Sequence, residues 1–140
     1  MAKVAIVYWS STGNTEMMAN EIAYGARGKG ADVSVITSDS FGTADVDQYD
    51  ALAFGCPAMG SEELEDTEFE PMFSDVEPKL PGKKVALFGS YDWGDGEWMR
   101  TWESRCRENG IDLLQEGLIA NNTPDDDAIA ACRALGEKLA

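Results

Sequence analysis

The chain has 140 residues, a formal net charge of −15 and no histidine. Its length suits one domain with a single core, and its acidity argues against nucleic acids and anionic lipid headgroups as partners. The lack of histidine removes the commonest general base, which disfavours hydrolases. Three scattered cysteines, Cys56, Cys106 and Cys132, do not suit a metal site or a disulfide framework, so we expect buried, reduced thiols.

Five short apolar runs predict β-strands. The first is too short and too strand-like for a signal peptide, and no stretch has the apolar length of a membrane span; we therefore expect a cytoplasmic protein. The runs lack polar alternation, which is typical of parallel strands covered on both faces. The predicted strands are Val4–Tyr8, Val33–Thr37, Ala51–Gly55, Val85–Gly89 and Gly117–Ala120, the last with an extension back to Ile111 as an alternative.

Apolar residues at helical spacing predict helices between and after these strands. One helix follows Thr15, another follows Gly96, and the last has Asp125 as its candidate N-cap. A further helix near residue 70 has the least regular pattern. The predicted inner faces are Met18, Ile22 and Ala26; Phe69, Met72 and Phe73; Trp98, Met99, Trp102 and Cys106; and Ile129, Cys132, Leu135, Gly136 and Leu139.

The alternation of strands and helices predicts an open, doubly wound α/β sheet. Right-handed crossovers bring the loops that follow the strands to one edge of such a sheet. Ligands bind at that edge, where the strand order reverses. The three loops after the first, third and fourth strands are therefore the candidate functional segments.

The loop after the first strand has the composition of a phosphate site. It supplies four hydroxyls, one amide and backbone N–H groups freed by a glycine turn, next to a helix N-terminus. No basic residue lies between Lys3 and Arg27, so a phosphate here would be bound without a counter-charge. The segment has neither Walker nor GxGxxG spacing, and a simple turn with an N-cap is the alternative. Its residues are Ser10, Ser11, Thr12, Gly13, Asn14 and Thr15.

The other two loops offer side chains that suit a flat aromatic ligand. Residues 55–62 follow the third strand and include Met59, while residues 89–96 follow the fourth strand and include Tyr91 and Trp93. Methionine and aromatic rings pack well against a planar ring. These loops and the phosphate-like loop are expected at the same sheet edge, which favours a single composite site.

These segments together resemble the short-chain, clostridial-type flavodoxins. Tyr8–Glu16 is similar to the FMN-phosphate loop of that family, and the other two loops resemble its flavin-clamping loops. The resemblance continues through Glu68–Pro71, Gly82–Ser90 and Trp98–Arg100, and covers nearly the whole chain. It implies one domain over 1–140, folded as a flavodoxin-like three-layer α/β/α sandwich with a five-stranded parallel sheet in the order 2-1-3-4-5.

The resemblance also implies roles around a bound FMN. Met59 would pack on the inner face of the isoalloxazine ring, and Trp93 would stack on the outer face. The Gly60–Ser61 peptide would meet flavin N5, and Glu62 would accept a hydrogen bond from N3. The implied ring-binding residues are Ala58, Met59, Gly60, Ser61, Glu62, Ser90, Tyr91, Asp92, Trp93 and Gly94.

Two of these positions depart from the family pattern. Ser61 stands where many relatives carry aspartate, which leaves the hydrogen bonding around N5 open. Asp92 stands where some relatives carry glycine, and its carboxylate would lie close enough to the ring to shift the redox potential. The backbone N–H groups of Asp92 and Gly94 would still reach the N1/O2 edge.

The implied function is low-potential, one-electron transfer by FMN that shuttles between quinone, semiquinone and hydroquinone states. Gly60 reaches positive φ cheaply, so the following peptide could turn its carbonyl towards reduced N5. Residues 62–70 include six acids, which we expect to be solvated and to disfavour the second negative charge. The implied protein is a monomeric carrier and not an enzyme, with no metal, and it meets basic-faced redox partners transiently.

Three alternatives compete with this interpretation. An FMN-dependent NAD(P)H:quinone reductase shares the fold and cofactor, but must also admit a nicotinamide and a substrate. A phospho-receiver domain needs an aspartate after the third strand and an acidic pair after the first, where this chain has Gly55–Cys56 and Trp9–Ser10. A module cut from a larger reductase is the third alternative.

Overall fold

Residues 2–60 and 62–140 are described by the computed structural model, and they form a parallel sheet between two layers of helices. The strand order is β2-β1-β3-β4-β5, as predicted. The expected back-extension of β5 is wrong, because only an isolated bridge joins Leu113 to Val85 in that region. The strands are β1 Lys3–Tyr8, β2 Asp32–Thr37, β3 Ala51–Gly55, β4 Lys84–Tyr91 and β5 Leu118–Asn121.

The four predicted helices are present, together with a short one that the sequence pattern did not reveal. The additional helix has four residues, too few to repeat an apolar position at helical spacing. None of the helices in the described ranges combines the length and hydropathy that a bilayer crossing requires. The helices are α1 Asn14–Gly28, α2 Thr43–Val46, α3 Phe69–Val76, α4 Glu97–Glu108 and α5 Asp126–Leu139.

Two apolar clusters cover the two faces of the sheet. On one face, α3 and α4 meet through edge-to-face rings: Phe73 lies 5.2 Å from Phe54 and 5.5 Å from Trp102 between ring centroids. On the other face, α1 and α5 cover the alternate side chains of β1 and β3. The predicted inner faces are buried, except that Ile129 is only half-buried. All three cysteines are free and buried, as expected.

The two helices on the second face, α1 and α5, approach each other so closely that glycine is required at both contacts. A Cβ added at Gly25 would lie 2.0 Å from the carbonyl oxygen of Arg133. A Cβ added at Gly136 would lie 2.0 Å from the carbonyl oxygen of Ile22. The predicted N-cap of α5 is confirmed, since Asp125 Oδ1 accepts a hydrogen bond from the Ala128 N–H at 2.8 Å.

Candidate functional site

The loops that follow β1, β3 and β4 meet at the carboxyl edge of the sheet. The Ala58 N–H donates to the Ser90 carbonyl at 3.0 Å, and the Trp98 indole N–H donates to the Cys56 carbonyl at 3.1 Å. These bonds hold the second and third loops side by side. A narrow cleft of about 50 Å³ lies where the three loops meet, lined by Ser11, Thr12, Pro57, Ala58, Met59, Ser90, Tyr91 and Asp92.

The first loop turns through Gly13, which has a φ of 95° and caps α1 without a side-chain hydrogen bond. Ser10 Oγ accepts a hydrogen bond from the Gly13 N–H at 3.1 Å, which closes the loop. The first N–H groups of a helix have no partner within the helix, so the first turn of α1 presents donors at the site. The exposed residues Ser11 and Thr12 stand beside them. This geometry suits an anion bound by neutral groups.

Thr15 has a different place from the other hydroxyls of the loop. It is buried, and its Oγ1 lies 2.9 Å from Ser90 Oγ and accepts from the Ser90 N–H at 3.3 Å. The Thr15 hydroxyl therefore ties the start of α1 to the end of β4. Its backbone N–H lies in the first turn of α1, next to the loop that would bind an anion.

The second loop is a closed turn. Met59 and Glu63 exchange two backbone hydrogen bonds of 3.0 and 3.2 Å. Within the turn, Gly60 has a φ of 27° and Glu62 a φ of 56°, so Gly60 adopts the positive φ that the sequence analysis required. Ser61, predicted as the partner of Gly60 at flavin N5, lies outside the described residues.

The carboxylate of Glu62 is the clearest unsatisfied group at the site. Glu62 Oε1 is buried and has no hydrogen-bond partner among residues 2–60 and 62–140. It lies against Gly94, where an added Cβ would come within 2.5 Å of Oε1. A buried carboxylate oxygen without a donor is costly, so this position suits a ligand that brings an N–H group.

The third loop presents one free aromatic ring. Trp93 is 58% exposed, whereas the ring of Tyr91 packs on Trp98 with centroids 5.5 Å apart. Tyr91 therefore borders the cleft while its ring belongs to the core. Trp93, which follows Asp92 of the cleft lining and is largely exposed, remains the ring that can stack on a flat ligand.

The acidic run at residues 62–70 is only partly solvated, which corrects the expectation that its side chains are all exposed to solvent. Glu65 is buried, and its carboxylate accepts hydrogen bonds from the N–H groups of Thr67, Glu68 and Phe69 at 2.8–2.9 Å and from the Thr67 hydroxyl. Glu70 pairs with Arg105 at 2.7 Å. The exposed acids of the run are Glu63, Asp66 and Glu68.

Glu65 is a structural residue that fixes the position of the second loop. Burial on its own would raise the pKa of its carboxyl group, but the Thr67 hydroxyl and the three backbone donors outweigh burial and lower the pKa below its usual value. Its own N–H donates to Cys56 Sγ at 3.4 Å. Burial in turn raises the pKa of the Cys56 thiol to about 12, so this thiol stays protonated. Glu65 thus joins the end of β3, through its N–H, to the start of α3, through its carboxylate.

Replacing Glu65 by alanine is expected to destabilise the protein by about 2–3 kcal/mol, because it removes the acceptor of three backbone N–H groups, of which that of Phe69 is buried. The matched control is Glu63→Ala, at an exposed acid in the same segment, which should change stability by less than about 0.5 kcal/mol. Urea unfolding of both variants checks this. Since the pKa of Glu65 is lowered in the folded state, its contribution is complete above the unfolded pKa and is lost as pH falls through the folded pKa. Equal losses in both variants would contradict the assignment.

A fourth loop, after β5, also reaches the site and was missed by the sequence analysis. The Asn122 N–H donates to the Tyr91 carbonyl at 2.7 Å, and Asn122 has a φ of 57°. The Thr123 hydroxyl donates to Asn14 Oδ1 at 3.4 Å. The Asn-Asn-Thr-Pro segment after the fifth strand is a turn signature that would have identified this loop.

A family model and the curated relatives of this chain all indicate the same family. The model of the flavodoxin family, described as "Flavodoxin", matches residues 6–136. The chain is 50% identical to a flavodoxin from Megasphaera elsdenii, covering 98% of each chain. It is 47% identical to a flavodoxin from Clostridium beijerinckii, covering 96% of this chain and 97% of that one.

The fold agrees with a solved member of the same family. A solution structure of the two-electron reduced Megasphaera elsdenii flavodoxin superimposes with a TM-score of 0.89, covering 97% of each chain at 50% identity. Both curated relatives are matched over nearly their whole length, and neither bears the name of a quinone reductase. The chain is thus a member of the flavodoxin family, an FMN-binding protein that transfers electrons and is not an enzyme.

Proposed function

We propose that the chain delivers electrons singly and at low potential to basic-faced partner proteins, with its FMN seated in the loops at the carboxyl edge. The Ser10–Thr15 segment would hold the phosphate, and Met59 and Trp93 would flank the ring. The buried Oε1 of Glu62 carries this assignment, because the ring edge of FMN brings the N–H donor that this oxygen lacks among the described residues.

At the phosphate end, the groups that bind are all uncharged. The turn at Gly13 places the first N–H groups of α1 next to the loop, and Ser11 and Thr12 add exposed hydroxyls beside them. The positive end of the helix dipole favours an anion there. No basic residue lies between Lys3 and Arg27, so the loop does not add positive charge that would make the bound cofactor easier to reduce.

At the ring end, the protein tunes the chemistry through contacts and charge. When bound, FMN supplies a ring that takes up electrons at N5 and N1. Glu62 would accept from the ring edge, Trp93 and Met59 would exclude water from its faces, and Gly60, at positive φ, would allow its peptide to meet N5. The exposed acids after the second loop and the formal charge of −15 disfavour added negative charge.

The same charge supports the choice of partner. A strongly acidic surface attracts basic proteins and accelerates their encounter with the carrier. Electron transfer needs only transient contact, and a monomer leaves the flavin edge accessible. We place this activity in the cytoplasm.

Titration of the apoprotein with FMN tests the assignment. We expect uptake of one FMN per chain with strong quenching of flavin fluorescence. Replacing Glu62 by glutamine should raise the potential of the second electron by on the order of 50 mV, because one nearby negative charge is lost. The control Glu63→Gln removes an exposed charge from the same turn and should have a smaller effect. Failure to take up FMN, or equal shifts in both variants, would contradict the proposal.

A further inference from the structure

An acidic residue stands in the first turn of the helix that follows the Ser10–Thr15 loop. Glu16 is the third residue of α1, which begins at Asn14 with Gly13 as its N-cap. A glutamate at this position often turns back and accepts a hydrogen bond from the backbone N–H of the N-cap residue. The helix dipole favours the same arrangement, because it attracts negative charge to the N-terminus. The Glu16 carboxylate can therefore compete with a phosphate for this end of α1.

The structure holds the Glu16 carboxylate in a different place. The Tyr8 hydroxyl, at the end of β1, donates to Glu16 Oε2 at 2.7 Å. The N–H of Gly13 donates instead to Ser10 Oγ at 3.1 Å. Both partners of the usual capping interaction are thus engaged elsewhere, and α1 has no side-chain cap. The first N–H groups of α1, which have no partner within the helix, remain open to another anion.

Tyr8 is suited to holding this carboxylate. Its ring is buried in the apolar cluster that α1 and α5 form with the sheet, which fixes the position of the hydroxyl. Burial, followed by the hydrogen bond and charge of Glu16, raises the pKa of Tyr8 to about 12, so the hydroxyl remains a donor at neutral pH. Glu16 is exposed and takes part in no ion pair within residues 2–60 and 62–140. The Tyr8 hydroxyl is therefore the contact that positions it.

Without the Tyr8 hydroxyl, the Glu16 carboxylate would oppose an anionic ligand in two ways. It would accept from N–H groups at the start of α1 that a phosphate needs, and it would add a negative charge beside that phosphate. The sequence between Lys3 and Arg27 has no basic residue to offset this charge. A hydrogen bond to a carboxylate is about twice as strong as one between neutral groups, so its loss would free the side chain to turn back.

We propose that Tyr8 is a positioning residue for FMN binding: its hydroxyl holds the Glu16 carboxylate away from the N-terminus of α1, so that the donors there stay free for the phosphate. This inference rests on the proposed placement of the phosphate on the Ser10–Thr15 loop. It involves neither the ring nor the partner proteins, so its effect is confined to ligands that carry the phosphate. Riboflavin has the same ring and ribityl chain without the phosphate, and it separates the two ends of the site.

Fluorescence titrations of the apoprotein with FMN and with riboflavin test the inference. For Tyr8→Phe, which keeps the buried ring, we expect the Kd for FMN to rise by about tenfold and the Kd for riboflavin to stay the same. Glu16→Ala should bind FMN at least as tightly as the parent. The double variant should regain the parent's Kd for FMN to within about twofold. The matched control Tyr24→Phe removes an exposed hydroxyl from α1 itself and should change neither Kd.

The backbone amide of Gly13 reports the carboxylate directly. In the Tyr8→Phe apoprotein, Glu16 should accept from the Gly13 N–H in place of Ser10 Oγ, which shifts the Gly13 amide resonance in two-dimensional NMR. Adding Glu16→Ala should return that resonance to its position in the parent. An unmoved Gly13 resonance in Tyr8→Phe would refute the inference.

A hydroxyl that merely stiffened the loop would give a different pattern. Tyr8→Phe and Glu16→Ala break the same hydrogen bond, so both would then weaken FMN binding equally, and the double variant would bind no better than Tyr8→Phe. Either result would overturn the inference, as would equal losses of FMN and riboflavin affinity in Tyr8→Phe. A parent that binds riboflavin as tightly as FMN refutes the proposed phosphate site. A parent that prefers FMN, with the same preference kept in Tyr8→Phe, refutes this inference alone.

Discussion

Replacing Gly136 by alanine is expected to be the most destabilising single-methyl change in this protein. The added Cβ would lie 2.0 Å from the Ile22 carbonyl oxygen and 2.7 Å from the Ala26 nitrogen, and both are backbone atoms of α1. A backbone cannot rotate away as a flexible side chain can, so α1 and α5 must separate and lose the packing between them. Overpacking of this kind costs about 3 kcal/mol or more. Gly25→Ala meets the Arg133 carbonyl at 2.0 Å and should act similarly.

Urea unfolding of the apoprotein, followed by far-UV circular dichroism, measures this effect without a contribution from cofactor binding. The matched control is Gly28→Ala in the last turn of α1, where an added Cβ meets nothing within 4 Å. Because alanine is the better helix former, this control should be neutral or stabilising by up to about 1 kcal/mol. A Gly136→Ala protein within about 0.5 kcal/mol of the parent would show that the helices are not in backbone contact.

Gly94→Ala is expected to weaken FMN binding by at least about tenfold. Gly94 has a φ of 85°, where a side chain costs about 1 kcal/mol, and its Cβ would come within 2.5 Å of Glu62 Oε1. The carboxylate must therefore move away from the position in which we propose that it meets the ring. Both effects act on the ring end of the site, so the loss should appear in the rate of FMN dissociation.

The variant Gly82→Ala separates the cost of a side chain at positive φ from the effect of the contact with Glu62. Gly82 has a φ of 90°, close to that of Gly94, but an added Cβ there meets nothing within 4 Å. Both variants should lose similar stability as apoproteins, while only Gly94→Ala should lose affinity in fluorescence titrations with FMN. Equal losses of affinity would mean that general strain, rather than the contact with Glu62, controls binding at this loop.

The sheet was predictable because its three central strands, β1, β3 and β4, are buried on both faces and appear as continuous apolar runs. β3 agrees with its predicted bounds at both ends, since Asp50 precedes the run and Gly55 ends it two residues before Pro57. The alternative extension of β5 back to Ile111 was wrong, because β5 lies at the sheet edge with only Ala120 buried and carries a weak apolar signal. α2 is a single short turn of helix, and its sequence has no periodicity to detect.

The loops of the site were predictable in position but only partly in detail. Glycine and hydroxyl-rich residues after a buried strand correctly placed the Ser10–Thr15 loop at the sheet edge; that this loop binds a phosphate stays a prediction. Composition could not show that Thr15 bonds to Ser90 or that the Tyr91 ring turns into the core, because both depend on residues about 75 and 7 positions away. The burial of Glu65 was missed for a related reason: its donors belong to a turn whose geometry no residue-type pattern specifies.

The glycine contact between α1 and α5 also bears on how tightly an anion can be held some distance away. α1 runs from the loop at its first residue to Gly25 near its other end, where it is wedged backbone to backbone against α5. Because α1 is held against α5 near its far end, the N–H groups of its first turn have fixed positions. The entropy of ordering those donors is therefore lost once, during folding, so the phosphate that we propose binds there would meet donors that need no rearrangement.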